Sequence, residues 1–129
     1  MKSACSFIEF FVTFEVMAKY LITVHRPRNY DASTSVDKQM SIDIDALNDE
    51  MVAAGVRVFV GGLQPLEKAT SLIPGADGEI NQDVGAYLKA QDYVDGFWVL
   101  DVASQDEAIA WGRKAAVACR AAVEVRPFY

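Results

Sequence analysis

Residues 96–128 read GFWVLDVASQDEAIAWGRKAAVACRAAVEVRPF. The first seven, Gly96–Val102, are an aromatic and β-branched run that predicts a strand. Ser104 and Glu107 then fit a capping box, in which each side chain satisfies an amide N–H left free at a helix start. The helix they open runs to about Ala118. Its inward stripe is Ala108, Gly112, Ala115 and Cys119, joined by Ile109 and Ala116. These side chains are small, so the helix can lie close on a sheet. Val123–Phe128 is the next strand, with Val123 and Val125 facing one way and Glu124 and Arg126 the other. Pro127 suits an edge or a terminus. Strand, crossing helix and strand together make half of a split βαβ arrangement.

Outward from this stretch, the same grammar supplies the rest. Ala18–His25 alternates as a strand, with Tyr20, Ile22 and Val24 on one face and Leu21, Thr23 and His25 on the other. A polar loop follows from Arg26 to Ser35. Thr34-Ser35-Val36-Asp37 fits a T-x-x-D helix start. Met40, Ile44, Leu47 and Met51 then recur at helical spacing, and Gly55 ends that helix. Val56–Val60 is a strand broken by Gly61-Gly62-Leu63-Gln64-Pro65. Residues 68–73 predict a third strand, Asp77-Gly78 a hairpin turn, and 79–82 a short return strand. Residues 83–95 are ambiguous, with one or two helical turns around Tyr87, Leu88 and Gln91.

The expected fold is therefore α+β: a ferredoxin-like sandwich with an antiparallel sheet and two helices on one face. The uncovered face is expected to carry large apolar side chains, from Tyr20/Ile22/Val24 or from Trp98/Leu100/Val102. Such a patch is too large to leave in water, so a face-to-face homodimer is expected.

The chain has 129 residues, 52% hydrophobic and 23% charged, which suits one domain with its own core. Its net charge of −6 disfavours nucleic acid and anionic membrane surfaces as partners. Cys5 and Cys119 form no CxxC motif, and a single histidine excludes a multi-His zinc site, so no metal and no cofactor is expected. The N-terminal stretch MKSACSFIEFFVTFEV (1–16) lacks a cleavage site, and Glu9 and Glu15 interrupt its apolar run. We read 1–16 as a leader from an over-extended reading frame, with Met17 as the natural start. Its rival is an extra strand or helix covering an apolar surface. The domain then spans 17–129, in a reduced, cytoplasmic setting.

Taken in order, AKYLITV, MVAAGV, GGLQP, GFWVLDVASQDEAIAW and VEVRPF resemble the YCII-related, or DGPF-domain, family over residues 17–129. The resemblance implies a dimeric α/β barrel, and a cofactor-free lyase or isomerase acting on a small cyclic or acidic molecule. The family's DGPF tetrapeptide is degenerate, with Asp83, Gly85 and Tyr87 as its remnants. Some members are thought to use a His in the first helix and an Asp before the second strand. Neither is present here, where Ala53-Ala54-Gly55 precedes that strand.

The candidate chemistry follows from residue type. His25, the only imidazole, is the candidate general base, with Asp83, Asp101 or Glu124 to orient it. Asp101 and Arg126 are expected to pair. The catalytic candidates are His25, Asp83 and Asp101. Arg26, Tyr87, Glu124 and Arg126 are the candidate substrate contacts, with Arg26 or Arg126 gripping an anion. Arg26, Arg28 and Tyr30 make a loop that could cap a pocket. The plainer alternative is a non-catalytic small-molecule or protein-interaction module built on the dimer cleft. No phosphate-binding loop and no nucleophile elbow is present.

Overall fold

Tyr20, Ile22, Val24 and Arg26 are buried along the first strand while the residues between them are partly exposed. That alternation sets one sheet face against helices and leaves the other open. The computed structural model describes residues 16–35 and 37–129. In chain order they form β1 (Ala18–Pro27), a single helical turn (Ala32–Ser35), α1 (Lys38–Ala53), β2 (Arg57–Gly62) and a 3-10 turn (Leu66–Lys68). Then come β3 (Thr70–Pro74), β4 (Ile80–Val84), β5 (Asp92–Val102), α2 (Gln105–Cys119) and β6 (Ala122–Pro127). The main sheet has the order β2-β5-β1-β6, antiparallel throughout. The fold is α+β and ferredoxin-like. The expected leader, apart from Val16, lies outside the described residues.

Both apolar sets expected as alternatives for the open face lie in the core. Tyr20, Ile22 and Val24 pack with Trp98, Leu100 and Val102, with Leu47 and Met51 of α1, and with Ala108 and Ala115 of α2. The open face carries Leu21, Thr23, His25, Phe97 and Val99, all partly exposed. Phe59 of β2 lies beside Phe97, ring centroids 5.7 Å apart.

Local chemistry explains the helix ends. Asp37, not Thr34, caps α1: its carboxylate accepts from Met40 N at 2.7 Å. Thr34 belongs instead to the separate turn. Met40, Leu47 and Met51 form the buried stripe as predicted, and Gly55 adopts φ +72°, the left-handed geometry that ends a helix cheaply. At α2, Ser104 Oγ accepts from Glu107 N and Glu107 Oε1 accepts from Ala103 N, both at 3.1 Å. Gly112 sits on β6: a Cβ built there would lie 2.5 Å from Val125 Cγ2.

Three expectations change. Gly61 and Gly62 continue β2 rather than break it, pairing with Phe97 and Gly96. No helix forms across 83–95; β5 starts at Asp92, so GFWVLDV is the end of an eleven-residue strand. The hairpin β3–β4 turns at Asp77-Gly78 as predicted but forms a sheet of its own.

Candidate functional site

β1 and β5 pair regularly from Ala18↔Val102 to Val24↔Gly96, then resume at His25↔Val94. Asp95 is the extra residue. A bulge of this kind leaves one residue unpaired and re-aims its side chain. Without it, Asp95 would stand opposite His25. With it, the carboxylate turns to Arg26 on the helix side. Arg26 Nε donates to Asp95 Oδ2 at 3.3 Å, and Nη1 donates to the Cys119 carbonyl at 2.6 Å. The guanidinium also lies over the Tyr30 ring, 4.4 Å from its centroid. Arg26 is only 5% exposed. A buried guanidinium is costly unless its donors are met, and here carboxylate, carbonyl and ring face meet them.

Asp95 remains about one-third exposed, at 34% for its side chain. It lines two concavities. The outer one, about 380 Å³, lies between the loop carrying Tyr30 and Asp31 and the segment carrying Leu63 and Glu67, with Tyr93 on its wall. The inner one, about 150 Å³, is bounded by Val24, Asn48, Trp98 and Cys119. Trp98 Nε1 donates to Asn48 Oδ1 at 2.9 Å, which holds that wall. Burial pushes the Tyr93 phenol above its ordinary pKa, and the Asp95 charge adds to the effect while Arg26 opposes it. Tyr30 Oη is buried with no hydrogen-bond partner among the described residues.

The candidates read from the sequence fall in three places. Arg26 anchors the site just described. His25, Glu124 and Arg126 share the open sheet face: His25 Nε2 lies 3.7 Å from Glu124 Oε1 and 2.8 Å from Thr23 Oγ1, and Arg126 Nη1 lies 3.9 Å from Glu124 Oε2. Asp101, on the same face, pairs with Lys19 at 4.0 Å and not with Arg126. The physical reason is topology. β1 runs between β5 and β6, and Asp101 stands opposite Lys19 while Arg126 stands opposite Leu21, so the two are separated by two strand spacings, about 9–10 Å, and by two residues along the strand as well. Asp83 lies on β4, opposite Ser71, and Tyr87 follows it; both are exposed and belong to the separate hairpin region. The structure brings His25 and Glu124 together and leaves Asp83 and Tyr87 outside both groups.

Asp95, Tyr93 and Glu67 were missed by the sequence reading. One signal was available: Asp95-Gly96 interrupts an apolar strand, and a glycine within a strand marks a bulge or a close backbone approach. A Cβ at Gly96 would meet the Gly61 carbonyl oxygen at 2.9 Å. Among the described residues no group of three or more His, Cys, Asp or Glu side chains is placed to hold a metal. Nor is any helix among them long and apolar enough to cross a membrane.

The model of the YCII-related domain matches residues 18–129. The chain belongs to the YCII-related family. Comparison with curated proteins finds no match. The matched span of this YCII-related domain contains the whole Arg26–Asp95 arrangement and the His25–Glu124 pair.

Proposed function

We propose that this YCII-related protein is a cofactor-free acid–base enzyme that binds a small cyclic molecule in the cleft beside Asp95. The reaction is of the lyase or isomerase type: a carboxylate takes a proton from carbon, and the electron pair left behind either takes a proton back at another atom of the molecule or forms a double bond as a leaving group departs from the neighbouring carbon. Asp95 is the base. Arg26 fixes it through Oδ2, and Oδ1 accepts no hydrogen bond among the described residues. Tyr93 is the matching donor. The observation that supports this reading is the buried Arg26, whose side chain is braced on three sides to hold one partly exposed carboxylate at a cleft. The test is deuterium incorporation. The protein in heavy water, given a panel of small cyclic ketones and lactones, should exchange hydrogen next to the carbonyl of at least one. Asp95→Asn should stop that exchange and still fold. Binding without exchange would favour the non-catalytic module instead.

A second reading rests on the open face. Two copies packed through Leu21, Phe59, Phe97 and Val99 would complete a dimeric α/β barrel and enclose His25 with Glu124, making that pair the acid–base couple. Light scattering should then give twice 14.2 kDa. Val99→Asp should restore the single-chain mass, and His25→Ala, rather than Asp95→Asn, should stop exchange.

A further inference from the structure

The cleft beside Asp95 has walls whose charges can be counted residue by residue. Two arginines and three carboxylates stand at or behind it. Arg26 donates to Asp95 and to the Cys119 carbonyl. Arg28, on the outer rim, donates Nε to the Ala90 carbonyl and Nη2 to the Leu88 carbonyl at 2.8 Å. Both guanidiniums are thus turned onto the chain's own oxygens. An anionic ligand is left only the N–H groups that these bonds do not use. Two of the carboxylates, Glu67 and Asp31, are in the opposite condition. Glu67 has no cationic partner among the described residues. Asp31 accepts from Ser33 N at 3.0 Å and Ser33 Oγ at 2.7 Å through Oδ1 alone, bonds that also hold its carboxyl below the ordinary range. Asp31, Glu67 and Asp95 therefore outnumber the two arginines around one opening. The Tyr93 ring lines the same space, and aromatic faces attract cations. A chain of net charge −6 adds to that bias at long range.

We propose that the ligand of this cleft is a compact amine, a ring or short chain bearing an ammonium group, seated between Glu67 and Asp31 with its apolar part on Leu63 and Tyr93. This rests on the reading of the Asp95 cleft as the binding site and names the ligand class for it.

The experiment is an NMR titration of the full chain with three probes of one shape: benzylamine, benzyl alcohol and benzoate. Benzylamine should shift the amide signals of Tyr30, Glu67 and Tyr93 in a saturable way. Glu67→Gln, at an exposed position, should weaken it by about twofold to fivefold, the size of one exposed charge pair. Benzoate should leave those signals in place. Benzoate or benzyl alcohol binding as tightly as benzylamine would overturn the amine class while upholding the cleft. An unchanged benzylamine affinity in Glu67→Gln would do the same. If none of the three moves these signals, the cleft itself is not the binding site and both readings fail.

Discussion

Arg26 and Asp95 belong to neighbouring strands yet are not cross-strand partners: Arg26 stands opposite Tyr93, and the bulge delivers Asp95 to it diagonally at 3.3 Å. The two members differ in their access to water. Arg26 is enclosed, whereas a third of the Asp95 side chain is exposed. Removing the exposed member therefore strands a buried charge, and removing the enclosed member does not.

Stability measurements should show that asymmetry. Asp95→Ala should cost about 3 kcal/mol, because it leaves the buried guanidinium with the Cys119 carbonyl and the Tyr30 ring but no counter-charge. Arg26→Met keeps the volume and lets Asp95 turn to water, so it should cost about 1 kcal/mol. Urea unfolding of both variants checks the order. An equal or reversed order would mean that Arg26 reaches solvent.

Gly112→Ala should destabilise by about 1–3 kcal/mol, the range for overpacking a close contact. The added Cβ would sit 2.5 Å from Val125 Cγ2. Val125→Ala removes that atom, so the double variant should be more stable than the additive sum of the two single variants. Thermal unfolding of the four proteins closes the cycle.

The cap of α2 gives a smaller effect. Ser104→Ala removes the acceptor for Glu107 N and should cost about 1 kcal/mol. Asp37→Ala at α1 should cost the same, and Thr34→Ala much less, since Thr34 caps no long helix. Denaturant midpoints of the three variants would show this.

Alkaline stability should depend on Cys119. Burial pushes its thiol above the ordinary value, with Arg26 pulling the other way and Asp95 reinforcing burial. A raised folded-state pKa means that the folded chain holds the proton more tightly than the unfolded one. That contribution is complete below the free-thiol value of about 8.5 and fades as pH climbs through the folded-state value. Wild type should therefore lose more stability between pH 7.5 and 9.5 than Cys119→Ala. Parallel curves would show that the thiol does not titrate in this window.

These positions also show what could be read without coordinates. The capping residues Ser104 and Glu107, the stripe Met40–Leu47–Met51 and the small-residue seam of α2 depend on spacing within one element, and each stands where expected. Thr34 fell inside the separate turn Ala32–Ser35 and the long helix opens only at Lys38, so its cap is Asp37, a boundary that residue spacing alone did not fix. The pairing of Asp101 with Lys19 depended on which strand lies beside β5, a fact about the whole sheet. Arg26 was legible as a site residue, but its partner was not. The placement of Asp95 depends on two strands counted against each other, and a single strand's pattern does not reveal an extra residue.

That extra residue has an evolutionary meaning. Loss of the single codon for Asp95 would let Val94 and Gly96 follow each other opposite His25 and Val24, with the rest of the β1–β5 register unchanged and only the Leu63 N–Asp95 carbonyl bond given up. The ladder would heal and the fold would persist, while Arg26 lost its carboxylate. A lineage could thus lose this ion pair by one in-frame deletion, a route that scanning by substitution never samples.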